Sequence, residues 1–457
     1  MPQQVTQPKV QLRSRVTCPH CWEQFPPEEV LWISAHSDLR GDPLLGEDEQ
    51  QRFLPSRFDP DGKALDVKGV ACKDLACPHC HLSVSWASLQ MNPLFISILG
   101  APGSGKSFLL ASMTWQFRQT LRDKFCLSFG DADPLSNQVL SDYEEALFLN
   151  PNEDELVTLK KTELEGDLYQ SVRFGDREVW YPRPFVFSTQ PLHGHPDFEK
   201  RRLLARALCL YDNAGEHFLP GGETARSPMK HLALSEVLLF LFDPTQHPRF
   251  RQACNGSSSD PQMGKHGWSH RQDQVLMEVA SRIRSHAGWP QDAKYPHPLI
   301  VVVTKYDAWC SIIGGQRIDL EAIIRPVNSE MSALDIQSLQ SISKKLQDLL
   351  KKHAPEIVTA AEGFSDDVLY VPVSALGCGP EIDPNTGALG VRPKDVNPMW
   401  AEVPLLYALH KSTKRLVYSA VRREKPATSP LNNARPAPTP TEVNKYPPNT
   451  PLRETGS

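Results

Sequence analysis

The sequence predicts an α/β fold: a mostly parallel sheet with helices on both faces, preceded by a small N-terminal module organised by cysteines. Three observations predict it. Short apolar runs rich in β-branched residues, PLFISILG at 93–100, VLLFLF at 237–242, LIVVV at 299–303 and VLYVPV at 368–373, each end on a polar cluster. Stretches of helical spacing lie between them, the alternation that builds parallel sheets. The tetrapeptide Cys-Pro-His-Cys occurs twice ahead of the first strand, at 18–21 and 77–80.

The 457 residues leave room for two or three domains at about 150 residues each. Hydrophobic residues make up 40% and charged residues 23%, an ordinary globular balance. A net charge of −5 gives no reason to expect a nucleic-acid-binding surface. Mean hydropathy is −0.39, and no apolar run reaches the ~18 residues of a membrane helix. The N-terminus, MPQQVTQPKVQLRSR, lacks the apolar core of a signal peptide. A reducing cytoplasm is therefore expected, with the ten cysteines as metal ligands or buried thiols. The expected division is a Cys-rich module over 1–92, an α/β domain over 93–422 with inserts near 128–180 and 250–272, and a disordered Pro-rich tail over 423–457.

Each CPHC supplies two sulfurs two residues apart, the spacing that lets a tight turn aim both at one ion. Cys18, Cys21, Cys77 and Cys80 together suit a closed, structural zinc site with no position left for water. The pairs stand 55 residues apart, so the intervening segment folds against the knuckles or loops out. Cys72, His20, His79 and His81 are nearby spare ligands.

After the strand at 93–100, GAPGSGKS at 100–107 matches G-x-x-x-x-G-K-[ST], and KSFLLASMTWQFRQTL continues as a helix. Strand, glycine loop and helix are the context a phosphate loop requires. Gly100, Gly103, Ser104 and Gly105 would turn backbone N–H groups toward phosphate oxygens, with Lys106 on the β- and γ-phosphates and Ser107 on Mg²⁺. LCLYD at 208–212 reads as a strand leading into Asp212-Asn213-Ala214-Gly215, a D-x-x-G. LIVVV leads into Thr304-Lys305-Tyr306-Asp307, an [NT]-K-x-D. The Asp307 carboxylate would accept from the N1–H and the exocyclic amine of guanine, donors that adenine does not present there. VLYVPV leads into Ser374-Ala375-Leu376, where a backbone N–H would meet the guanine O6. All four motifs follow predicted strands, where open α/β sheets bind ligands.

This set resembles the Ras-like, translation-factor-related (TRAFAC-type) P-loop GTPases, over residues 93 to about 420. With its N-terminal cysteine module, the chain is similar to a bacterial group within that clade. The resemblance implies GTP or GDP with Mg²⁺, Asp212 supporting the metal through water, Gly215 sensing the γ-phosphate, and switch segments read by a protein partner. Three features depart from the pattern. Asp212 lies 105 residues after Ser107, so the first-switch threonine is assigned to Thr162, with Thr158 second. Glu216 and His217 follow Gly215 where a water-orienting glutamine is usual, so slow hydrolysis is expected, with His217 standing in. RQACNGSSSDPQMGKHGWSH, with His266 and His270, reads as a solvated loop. Two other readings stay open: a scaffold that holds nucleotide without turnover, and an ATPase whose Mg²⁺-supporting carboxylate is Asp243.

Overall fold

The computed structural model describes residues 12–420, apart from 160–167, 219–229, 255, 257, 259, 265–270, 316, 384–386, 388 and 414. The predicted tail at 423–457 lies outside the described residues, as do Thr162, His266 and His270.

Seven strands form the main sheet: β1 Asn92–Gly100, β2 Leu127–Asp131, β3 Phe185–Pro191, β4 Arg206–Asp212, β5 Val237–Phe242, β6 Leu299–Val303 and β7 Val368–Pro372. Their spatial order is β2-β3-β4-β1-β5-β6-β7. β3 runs antiparallel to both neighbours, and every other pair is parallel. Among the described residues, six helices of ten or more residues accompany the sheet: α1 Lys106–Phe125, α2 Pro134–Phe148, α3 Gln272–Ala287, α4 Ile336–His353, α5 Pro355–Phe364 and α6 Val403–Thr413. None of the helices among the described residues is long and apolar enough to cross a membrane.

The central strands are apolar at every position because both sheet faces are covered. Leu239 and Leu241 of β5, with Ile300 and Val302 of β6, pack on the face carrying α1, α2 and α6. Leu238, Phe240 and Phe242, with Leu299, Val301 and Val303, pack on the face carrying α3 and α5. Each such side chain contributes about 1.5–3 kcal/mol by leaving water, so a polar residue at any of them would break the sheet. Local signals set the helix ends. The Asp335 carboxylate accepts from the Ser338 N–H at 3.0 Å at the start of α4, and Lys351, Lys352 and His353 oppose the dipole at its end. Pro355 then opens α5 as its first residue. α1 stops at Cys126, whose left-handed φ of 51° returns its N–H to the Leu121 carbonyl.

LSFGD at 127–131, expected as the start of an insert, is instead the edge strand β2, paired with β3. Later in the same region, the hairpin Tyr169–Phe174/Arg177–Pro182 packs Val172 into the core of the N-terminal module.

That module is built on two hairpins, Val16–Thr17 with Gln24–Phe25 and Leu75–Ala76 with Ser83–Val84. The segment between the knuckles folds against them. Its strands Leu31–Ile33 and Arg52–Phe53 extend the second hairpin into a four-stranded sheet.

Candidate functional site

The phosphate loop sits where β1 gives way to α1, with β4 on one side and β5 on the other. This is the topological switch point of the sheet. Gly103 and Gly105 have φ of 72° and 91°, a backbone region that side-chained residues rarely adopt. Lys106 is buried and its ammonium donates to the Gly100 and Ala101 carbonyls at 3.2 and 3.3 Å, across the base of the loop. Gln246, just after β5, donates its amide to the Pro102 carbonyl at 3.0 Å and braces the loop from outside.

The D-x-x-G segment touches this loop directly. A Cβ on Gly215 would lie 2.6 Å from the Gly100 oxygen and 2.7 Å from the Pro102 nitrogen, so only glycine fits without moving the loop. Asp212 is buried at the end of β4, in register with Ile98 of β1. Asn213 carries a role its place in the motif does not announce. Its amide donates to the Ile98 carbonyl at 3.1 Å, and its oxygen accepts from His231 Nε2 at 2.7 Å. The turn Gly215–Phe218 follows, and the side chains of Glu216 and His217 lie outside the described residues. Thr158, the second choice for the first switch, is exposed beside Val157, which bridges to Val391.

One cavity of about 260 Å³ runs from this loop to the ends of β6 and β7. Gly103, Ser104, Gly105, Lys106 and Ser107 line one end. Thr304, Lys305, Asp307, Ser374 and Ala375 line the other. Asp212, Gly215 and Gly100 are not in its wall; Gly100 and Gly215 meet behind the loop. Ser374 donates its hydroxyl to the Asp307 carboxylate and accepts from the Gly377 N–H at 2.7 Å. Burial pushes the Asp307 carboxyl up to about 6; the Ser374 hydrogen bond opposes this and the charge of Asp260 adds to it. Helix α1 reaches the same corner, where Ser112 donates to the Ala375 carbonyl at 2.6 Å.

Asp243, at the end of β5, is not spare. It is fully buried, and one oxygen pairs with the Lys305 ammonium at 2.6 Å. The other accepts from the Thr245 N–H and hydroxyl at 2.9 and 2.7 Å. The Lys305 head is thus anchored beside the cavity, on a residue whose φ of 54° is itself left-handed. The loop after β5, read as solvated, also differs from expectation: Asp260 and Gln262 line the cavity. A lone Asp in NGSSSDPQMG gives no sign of burial, which the loop around Gly379 supplies from 119 residues downstream.

The four CPHC cysteines come together in the N-terminal module. Their sulfurs lie within 4.8 Å of one another, all four are buried, and they form the one such cluster among the described residues. Cys18–Cys80 and Cys21–Cys77 are 3.7 and 3.8 Å apart. A tetrahedron with zinc–sulfur bonds of about 2.3 Å has edges of about 3.8 Å, so the donor set fits that ion. The backbone N–H groups of His20 and His79 each donate to the preceding cysteine sulfur at 3.4 Å. Burial pushes Cys18 and Cys80 up, while hydrogen bonds from Cys18, Cys21 and Cys80 hold Cys77 down. Four thiolates this close need a cation to share the charge. The spare ligands go elsewhere: His20 bonds the Ser83 carbonyl at 2.9 Å, His81 bonds Asp42 at 2.8 Å, and Cys72 faces the Val70 carbonyl.

No protein-family model and no curated protein matches the chain. Among solved structures, the S. cerevisiae Ski7 GTPase-like domain bound to GTP is similar at 12% identity, over 65% of this chain and 46% of that one, with a TM-score of 0.23. Translation elongation factor SelB from Methanococcus maripaludis in its apo form is similar at 11% identity, over 63% of this chain and 30% of that one, with a TM-score of 0.19. The SelB complex with the GTP analogue GPPNHP gives 10% identity and a TM-score of 0.21. The chain spans under half the length of these structures. Overlaps this loose leave fold and ligand to be argued from the chain's own strand order and side chains.

Proposed function

We propose that this chain binds Mg²⁺·GTP and GDP in the cavity between the phosphate loop and Asp307, hydrolyses GTP slowly, and is read by a protein partner as a two-state switch. The observation that carries this reading is the shared lining. Lys106 and Ser107 face one end of the same space that Asp307, Ser374 and Ala375 face at the other. Only a ligand with phosphates at one end and a donor-bearing base at the other matches both ends. The loop N–H groups, the start of α1 and Lys106 would hold the phosphates. Ser107 and Asp212, with Thr162, would hold Mg²⁺, which offsets phosphate charge when bound. Thr304 and Lys305 shape the base end, and Asp307 and Ala375 take the base edge. Gly215 would report the γ-phosphate, because nothing larger fits between it and the loop. Glu216 or His217 would orient the attacking water. Cys18, Cys21, Cys77 and Cys80 would hold one structural zinc. The domain division of 1–92, 93–422 and 423–457 belongs to the same proposal, as does a cytoplasmic setting.

Nucleotide held without turnover is a second reading, and the fastening of Asn213 to Ile98 and His231 favours it. These bonds tether the segment that hydrolysis would have to release. The contacts of Asp243 to Lys305 and Thr245 favour a positioning role for it over the Mg²⁺-supporting role that the ATPase reading requires.

The test is binding of GDP, GTP, ADP and ATP with Mg²⁺, alongside Asp307→Asn with xanthosine nucleotides. Guanine preference that moves to xanthine in the variant supports the proposal. Equal or tighter adenine binding overturns it. Phosphate release from GTP under single-turnover conditions separates switch from scaffold.

A further inference from the structure

Asp260 enters the base end of the cavity from an element that carries none of the four motifs. It is 6% exposed and lies in the loop between the short helix Pro248–Ala253 and α3. One carboxylate oxygen accepts from the Gln262 N–H at 2.8 Å and caps the turn Pro261–Met263. The other has no hydrogen-bond partner among the described residues and no surface open to the cavity, so a ligand meets it only once the carboxylate turns toward the space that the side chain lines. The side chain lines the same cavity as Asp307, Lys305 and Ser374. Gly379 closes over it: a Cβ there would meet the Asp260 Cα at 3.5 Å and its carboxyl carbon at 3.6 Å.

The charges around this space do not balance. At the base end, Asp243, Asp260 and Asp307 bring three carboxylates against one cation, Lys305, already paired with Asp243 at 2.6 Å; Lys106 lines the phosphate end, on the Gly100 and Ala101 carbonyls. The other titratable neighbours, the thiols of Cys310 and Cys378, add no positive charge; burial and the charge of Asp307 push both up. Burial likewise pushes the Asp260 carboxyl up, against the pull of the Gln262 N–H and Lys305. A buried acceptor with no donor costs free energy that a ligand can return. Two buried carboxylates on one small space cost more, unless a neutral group with several N–H donors lies between them.

We propose that Asp260 is a second acceptor for the base, taking one N–H of an exocyclic 2-amino group while Asp307 takes the other N–H and the ring N1–H. The inference rests on the guanine reading above. The edge of a 2-amino-6-oxopurine carries three N–H donors in a row. One carboxylate meets two of them and leaves the third facing the wall; a second carboxylate completes the set. Hypoxanthine keeps N1–H and lacks the amine, so it engages Asp307 and strands Asp260. Asp260 and Gln262 then become the part of the base pocket's wall that reads the amine.

The experiment measures calorimetric affinities of the full chain with Mg²⁺ for GDP, IDP, N2-methyl-GDP and ADP, in the wild type and in Asp260→Asn and Asp260→Ala. In the wild type, GDP is expected to bind tighter than IDP by on the order of 100-fold, and N2-methylation to cost on the order of tenfold. Either substitution should weaken GDP on the order of 10- to 100-fold and leave IDP within about threefold, so that IDP binding also reports an intact pocket. Equal losses for GDP and IDP, or an unchanged GDP affinity, would overturn the proposal. So would wild-type protein that tolerates N2-methylation, a result that needs no variant to fold. If the wild type prefers ADP over both GDP and IDP, the guanine reading itself has failed; GDP preferred over IDP with N2-methylation tolerated sinks Asp260 alone.

Discussion

The indole Nε1 of Trp22 donates to the Tyr211 hydroxyl at 3.1 Å, joining residues 189 apart in the chain. Trp22 directly follows the second cysteine of the first knuckle, and Tyr211 directly precedes Asp212. The Tyr211 hydroxyl in turn donates to the Pro19 carbonyl at 2.6 Å. Trp22 also stacks on His231 at 5.4 Å, the ring that holds Asn213. The cysteine cluster and the D-x-x-G segment therefore share one buried polar and aromatic joint. Tyr211→Phe leaves the Pro19 carbonyl and the Trp22 N–H unpaired, and is expected to cost about 1–3 kcal/mol in urea unfolding. Combined with Trp22→Phe, its effect should be non-additive by about 0.5–3 kcal/mol, and additive losses would show that the joint is not coupled.

Removing one cysteine should disable the whole cluster. Cys77→Ser is expected to lower zinc from about one ion per chain to near zero by elemental analysis, and to destabilise the module. Because Trp22 hangs on the knuckle, the same substitution should also weaken nucleotide binding. Wild-type protein purified without metal, yet fully stable in chelator, would contradict the zinc assignment.

Gly215→Ala places a methyl group 2.6 Å from the Gly100 oxygen. The phosphate loop or the turn must give way, and overpacking of this kind costs about 1–3 kcal/mol. The expected signature is loss of discrimination between GTP and GDP, on the order of tenfold, with the triphosphate losing more. A ratio of GTP to GDP affinity unchanged from the wild type would show that Gly215 does not face the γ-phosphate.

Guanine binding should depend on pH through Asp307. The carboxyl, pushed up to about 6 by burial, accepts two N–H groups only when ionised. The base donors favour the charged form, so binding releases a proton below about pH 6. Affinity should thus be flat above about pH 7 and fall about tenfold per unit below pH 6. Asp260, Lys305 and Ser374 face the same group, so Asp260→Asn should move the break to lower pH by removing a like charge.

Asp243→Asn breaks a buried ion pair and should cost about 3–5 kcal/mol of stability. Its nucleotide binding should still require Mg²⁺. Asp212→Asn is expected to do the reverse, keeping most stability and losing the Mg²⁺ requirement. Affinities with and without chelator distinguish the two.

The strands ending in the four motifs were legible because each is a run of apolar residues buried on both faces, and such runs have no other use in a chain of this composition. α1 was legible from its helical spacing directly after the glycine loop. β2 was not: LSFGD is short and partly polar, and it becomes a strand only because β3 lies beside it. The two ends of the cavity could be read because glycine turns and a strand-terminal Asp carry their geometry locally. Asp243, Asn213 and Asp260 could not be weighed from sequence. Each owes its role to a partner 18 or more residues away: Lys305 for Asp243, His231 and Ile98 for Asn213, and the Gly379 loop for Asp260.

The edge strand β2 has a mechanical consequence. It covers the flank of β3, so a protein docking by strand addition would pair with Leu127–Asp131 and not with β3. That edge is continuous with α1, whose 20 residues span about 30 Å from Gly105 to Cys126. Cys126 joins helix to strand with no intervening loop. A rigid rod therefore runs from the phosphate loop to the free margin of the sheet. A strand seated on that margin would therefore sit one helix length from the phosphate loop, on backbone continuous with it.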